Sequence, residues 1–162
     1  MKVVGDKVAN LDTLVERLAP ERAQGKTLVL TNGAFDLLHV GHVRYLAAAA
    51  KLADILVVAV NSDDSVEKLK GSGRPVFPLS ERMEIVATLG VVDYVISFGE
   101  QDARQVIQKL KPDVHAKGTD YTAQTVPERD EVLQYGGRVA VCGDPKDHST
   151  TSLLARLRRI EP

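Results

Sequence analysis

Thr31-Asn32-Gly33-Ala34-Phe35-Asp36-Leu37-Leu38-His39-Val40-Gly41-His42 overlaps the end of an apolar run at residues 27–31 (TLVLT) and leads into a helical pattern at 40–52. The run reads as a buried strand ending near Asn32. The chain then turns through Asp36 and enters a helix near Val40. Backbone N–H groups at a helix start lack intrahelical acceptors and carry partial positive charge, so such an end attracts anions. Gly41 has no side chain and lets an anion approach the backbone. His39 and His42 lie three residues apart, a spacing that lets both face one ligand. Two imidazole donors beside those amides suit a triphosphate that gathers charge in a transition state. The pair could instead hold a metal, although no third ligand lies in the local motif, or pack as structural histidines. A Walker loop and a G-x-G-x-x-G fingerprint after the first strand are both missing, which argues against P-loop chemistry and standard dinucleotide binding.

Outward from this turn, short β-rich runs alternate with helical patterns. Strands are expected at 27–31, 55–60, 94–98, 114–116 and 138–142. Helices are expected at 40–52, 63–69, 79–89, 102–110, 127–135 and 149–160. Ser80 or a neighbour should cap the helix at 79–89, and Pro127 suits a helix start. An N-terminal helix at 11–18, capped by Asn10, precedes the first strand. Strands alternating with helices indicate parallel βαβ units with helices on both faces. The expected fold is α/β: a Rossmann-like, doubly wound, five-stranded parallel sheet in one domain spanning 1–162. Ligands in that architecture bind beyond the carboxyl ends of the strands.

The 162 residues carry 21 Lys and Arg against 22 Asp and Glu, a formal net charge of −1. That balance excludes broad, sequence-independent nucleic-acid binding, which needs a basic surface. Cys142 is the sole cysteine, so no intrachain disulfide forms; this fits a reducing cytosol, and Cys142 itself reads as a buried small hydrophobe. The N-terminus lacks the apolar stretch of a signal peptide, and no window approaches the roughly 20 apolar residues of a membrane span. A cytoplasmic protein with no membrane partner is expected. A flavodoxin-like electron carrier would want aromatic stacking groups, and aromatic residues are only 4% of this chain.

His39-Val40-Gly41-His42 after a strand resembles the H-x-G-H signature of the nucleotidyltransferase α/β-phosphodiesterase superfamily. The longer string TNGAFDLLHVGHVRYL is similar to its heptose 1-phosphate adenylyltransferase branch, the ADP-heptose synthases. The similarity continues through Val60-Asn61-Ser62-Asp63, Gly73-Arg74-Pro75-Val76, Glu81-Arg82-Met83, Lys117-Gly118-Thr119-Asp120-Tyr121, Gly136-Gly137-Arg138-Val139 and His148-Ser149-Thr150-Thr151. It covers nearly everything from Thr31 onward. The branch usually has Cys at the place of Ala34, Gly at the place of Thr119, and often Gly at the place of Asp147. These departures leave nucleotidyl transfer intact and leave the sugar and the base open.

The resemblance implies transfer of AMP from ATP to a sugar 1-phosphate by direct in-line attack, with release of pyrophosphate. A phosphate nucleophile is already ionised near neutral pH, so positioning and charge neutralisation suffice. Mg²⁺ is expected on the triphosphate oxygens, with no dedicated protein cage. His39, His42, Lys70 and Arg82 are the expected catalytic residues. Lys70 would reach the reacting phosphates and Arg82 the triphosphate; the alternatives are a solvated lysine and an ordinary helix-surface arginine. Asn32, Gly33, Phe35, Gly41, Lys117, Asp120, Ser149, Thr150 and Thr151 are expected to line the nucleotide site. Plain N-capping by Ser149 is the alternative there. Asp36 and Asn61 are expected at the sugar acceptor, with Asp36 alternatively a turn residue. CTP or another phosphorylated acceptor, or a non-catalytic nucleotide-sensing module, remain open. The branch is often fused to a sugar kinase; no kinase segment is read in this sequence, so a stand-alone transferase on small-molecule substrates is expected, and the resemblance implies a homodimer.

Overall fold

A computed structural model of the chain describes residues 3–145 and 149–160. In chain order the elements are α1 (Val4–Lys7), α2 (Leu11–Ala23), β1 (Leu28–Gly33), α3 (Val40–Ala50), β2 (Ile55–Asn61), α4 (Asp63–Lys70), α5 (Leu79–Thr88), β3 (Tyr94–Phe98), α6 (Arg104–Leu110), β4 (Val114–Lys117), α7 (Arg129–Gln134), β5 (Arg138–Val141) and α8 (Thr150–Leu157). The five strands form one parallel sheet in the order β3-β2-β1-β4-β5. Strand order reverses at β1, which has β2 on one side and β4 on the other. That reversal leaves a crevice at the carboxyl ends of β1 and β4.

β2 is buried along its whole length because helices cover both of its faces. The period-two alternation sorts side chains between two cores. Leu28, Leu30, Val57 and Ile96 face Leu14, Leu18, Ile107 and Val132 of α2, α6 and α7. Val29, Val58, Val95 and Val114 face Leu46, Val86 and Ala87 of α3 and α5. β3 is an edge strand, but its outer side is partly covered: Val8 makes a parallel bridge to Val95, and the Ala9 amide donates to the Val95 carbonyl at 3.1 Å. Covering an edge in this way blocks unwanted strand pairing.

The expected elements all form, β3 at the expected 94–98 and the others with shifted ends. Asn10 caps α2 by accepting from the Thr13 amide at 2.8 Å. α2 continues past Pro20, whose missing N–H gives no helical bond to the Glu16 carbonyl. α5 starts after Pro78 and has no side-chain cap, so Ser80 does not serve as one. α7 begins only at Arg129 and α6 only at Arg104. α1 was not expected: four residues are too few to show a period. Lys146, Asp147 and His148 lie outside the described residues.

Candidate functional site

A cleft of about 490 Å³ opens at the reversal of strand order, within the size range of small-molecule sites. The carboxyl ends of β1 and β4 form its floor, and the starts of α3 and α8 form its walls. Two helix N-termini therefore direct partial positive charge toward one space.

The two histidines sit at the start of α3 in a reciprocal arrangement. His39 is the N-cap, and its Nδ1 accepts from the Gly41 amide at 3.2 Å. His42 is the third helical residue, and its Nδ1 accepts from the His39 amide at 3.3 Å. The rings stack, with centroids 3.9 Å apart and planes at 28°. An Nδ1 that accepts from a backbone N–H cannot carry the proton, so both neutral rings are protonated on Nε2. The sequence reading put the amides forward as the anion site. In the fold, those of His39 and Gly41 are taken by the imidazoles, while His42 and Val43 donate to the His39 carbonyl. Both rings line the cleft, and each keeps its Nε2–H beyond these cap bonds. Burial, then the repulsion that a protonated His39 would exert and the positive charge of Lys70, push the His42 pKa down to about 4 against the pull of Asp36. Phe35 supports this arrangement. Its backbone adopts φ 47°, and its ring lies 5.5 Å from that of His42. A Cβ on Gly33 would stand 3.2 Å from the Phe35 ring, so glycine gives the ring its place.

Asp36 does not face the cleft. It is 1% exposed, and its carboxylate accepts from the amides of Val76 and Phe77 and from Arg74. Burial tends to raise its pKa, but those amides and the Arg74 guanidinium outweigh it and hold the carboxyl below its usual range. The turn-residue alternative thus describes its geometry: it fastens residues 74–77 beside the site. Arg82 likewise stands behind the cleft wall rather than in it. It is 1% exposed and donates to the carbonyls of Phe77 (3.0 Å), Ala34 (2.5 Å) and Asn61 (2.8 Å) and to the Asp63 carboxylate (2.7 Å). Its guanidinium ties the β1–α3 turn, the end of β2 and the segment before α5 together. Asn61 lines the cleft, and its Nδ2 donates to Ser65 Oγ at 3.0 Å.

Lys70 ends α4, is exposed and lines the same cleft as the histidines, near enough to depress the His42 pKa. Ser149 caps α8 in a capping box with Ser152. Thr150 is buried and donates its hydroxyl to the Asp36 carbonyl at 2.9 Å, which docks α8 on the β1–α3 turn. Thr151 is exposed at the cleft rim. Gly41 and Asp120 also line the space. Lys117 is 6% exposed; its Nζ lies 2.9 Å from Asn32 Oδ1 and 3.3 Å from each oxygen of Glu128. Burial lowers its pKa against the opposing pull of Glu128.

Several cleft residues escaped the sequence reading. Glu128 falls in the helix expected at 127–135 with nothing in its neighbours to signal burial, yet it is 1% exposed and pairs with Lys117. Tyr45 follows His42 by three residues, and that spacing was an available signal. Its hydroxyl meets Thr31 Oγ1 and donates to the Ala116 carbonyl at 2.8 Å. Gly143 and Asp144 form a rim held by the Arg44–Asp144 ion pair (3.1 Å) and by the Thr119 hydroxyl on the Asp144 carbonyl (2.8 Å). Cys142 lines the cleft half-buried, so it is not a fully enclosed hydrophobe.

Residues 30–156 match the family model described as Cytidylyltransferase-like. The chain is 46% identical over 151 residues to the bifunctional protein HldE of Syntrophotalea carbinolica, covering 93% of this chain and 31% of that protein. The figures are the same for HldE of Geobacter sulfurreducens. The chain thus spans about a third of the length of these relatives. Among solved structures, the lipopolysaccharide core biosynthesis protein from Thermoplasma volcanium superposes with a TM-score of 0.62 at 31% identity, covering 72% of this chain and 94% of that one. Pantoate-beta-alanine ligase from Francisella tularensis shares the fold, with a TM-score of 0.58 at 14% identity over 93% of this chain and 76% of that one.

Proposed function

Because the chain belongs to the cytidylyltransferase-like family and is a nucleotidyltransferase, we propose that it transfers AMP from ATP to a sugar 1-phosphate, a heptose 1-phosphate by its likeness to HldE. An oxygen of the acceptor phosphate bonds to the α-phosphorus. The α-phosphorus–oxygen bond to the β-phosphate breaks, and pyrophosphate leaves with the electron pair. The observation that carries this reading is the pair of stacked imidazoles, both protonated on Nε2, in one cleft with Lys70. Neutral N–H donors held rigidly by a helix cap stabilise developing phosphoryl charge without reorganising. Lys70 brings a positive charge to where two anions must meet. Arg82 and Asp36 act at one remove, by holding the walls that carry Asn61, Ala34 and the segment after Lys70.

A divalent cation such as Mg²⁺, bound through the nucleotide phosphates, supplies charge neutralisation there. Of the acidic residues that line the cleft, Glu128 pairs with Lys117, Asp144 with Arg44 and Asp102 with Arg104, while Asp120 also lines the space that a cation brought by the nucleotide would enter. The described residues are read as one transferase domain acting on small molecules in the cytoplasm, and a homodimer is the assembly that the resemblance implies.

The test is pyrophosphate release from ATP or CTP with a panel of sugar phosphates. ATP with a heptose 1-phosphate should be the productive pair. Preference for CTP would replace the base in this reading, and preference for another phosphate would replace the acceptor. His39→Ala and His42→Ala should each lose most turnover while the protein stays folded. Full rates in both variants would overturn the assignment.

A further inference from the structure

His115 is the one wholly buried histidine of the described residues, at 0% exposure in the middle of β4. The function proposed above does not use it. Alternation along the strands places Asn32, His115 and Lys117 on one face of the sheet: Asn32 continues the Leu28 and Leu30 side of β1, opposite Val114 and Ala116. One atom of the Asn32 carboxamide lies 2.9 Å from Lys117 Nζ and 3.1 Å from His115 Nε2. A lysine ammonium only donates, so that atom is the oxygen, Oδ1. His115 Nε2 must then donate to it as well, which leaves Nδ1 unprotonated. Nδ1 is buried with no hydrogen-bond partner among the described residues, consistent with a neutral ring whose pKa burial pushes down to about 3.

Two donors on Oδ1 settle which way the carboxamide faces. The Nδ2 amino group must point away from them, and Asn32 lines the cleft beside Gly33 and the histidine pair. We infer that His115 is a positioning residue: with Lys117 it locks the Asn32 amide so that its N–H₂ group donates to an oxygen of bound ATP. This rests on the reading of the cleft as an ATP site. The arrangement explains why a strand otherwise filled by Val114 and Ala116 tolerates an imidazole with an unmet nitrogen. Lys117 alone would leave the amide in a pairing with a residue already shared with Glu128. Lys117, which can only donate, sets which end of the carboxamide faces inward, and His115 adds a second hydrogen bond to the same oxygen that holds the amide in that plane.

The test is the dissociation constant for MgATP, by calorimetry, in a double-substitution cycle of His115→Leu and Asn32→Ala. Losing one orienting hydrogen bond, about 1 kcal/mol, corresponds to about 5-fold weaker binding in His115→Leu. In the Asn32→Ala background the same change should have no further effect, because His115 acts only through that amide. His115→Gln, which keeps an N–H at similar reach, should restore affinity. Leucine fills the space without an orphaned nitrogen, so folding is expected to persist; His115→Phe repeats the cycle should it not. Independent effects of the two substitutions, or unchanged affinity in His115→Leu and His115→Phe, would overturn the inference. Failure of the unsubstituted protein to bind MgATP would instead overturn the functional reading itself.

Discussion

Replacing Arg82 by Met separates a buried clamp from a phosphate contact. In the fold the guanidinium serves the main-chain carbonyls of Phe77, Ala34 and Asn61, and its side chain is wholly buried. Each carbonyl left without a donor costs about 1 kcal/mol or more, so the three together cost about 3 kcal/mol. The pair with Asp63 adds little, because that carboxylate is 46% exposed. For a chain of this size each kcal/mol moves the melting temperature by roughly 2–4 °C, so Arg82→Met should melt about 6–12 °C lower. Arg82→Lys should recover only part of this, since an ammonium cannot span three diverging acceptors. The assay is thermal and urea unfolding of both variants beside MgATP titration. A melting temperature unchanged within a degree or two, together with selective loss of MgATP affinity, would refute the clamp and return Arg82 to the triphosphate.

The His42 and His115 pKa values, about 4 and about 3, lie below the ordinary imidazole value, so the unfolded chain binds more protons between about pH 6.5 and 4. Stability is therefore fully present above pH 6.5 and falls as the pH drops, by at most about 1.4 kcal/mol per pH unit for each ring; urea unfolding at pH 7 and pH 5 measures it, and His115→Leu should flatten the slope. Asp36→Ala removes a buried acceptor from Arg74 and from two amides, and should cost about 3–5 kcal/mol. Hydrogen exchange at the Val76 and Phe77 amides should rise well beyond the change at β2, and uniform exchange across the chain would refute the local anchoring.

Much of the architecture is legible in local patterns. β2 reads correctly from residues 55–60 because a fully buried parallel strand needs an unbroken apolar run. α2 announces its start through Asn10, since capping is a contact between near neighbours. β3 matches the expected 94–98. The site is legible as residue types and less so as contacts. The spacing of His39 and His42 could be read as two residues facing one ligand, and the same spacing also makes a capping box. The burial of Glu128 and Arg82 left no local trace, because charged residues in helical stretches ordinarily face water.

By itself, the sequence determined the alternation of strands and helices, the turn between β1 and α3 with its two histidines, and the set of polar residues near it. These depend on periodicity and on neighbours a few positions apart. Only the tertiary structure decided which of those residues face the cleft and which hold its walls. Thr150 meets the Asp36 carbonyl across 114 positions, Lys117 meets Asn32 across 85, and Asp36 meets the Val76 amide across 40. Strand order and helix docking bring such partners together, and a buried polar group must take whichever partner the packing supplies. The opening turn is therefore narrower in the fold than in the sequence: the amides of Gly41 and His39 go to His39 and His42, which leaves each neutral ring its Nε2–H.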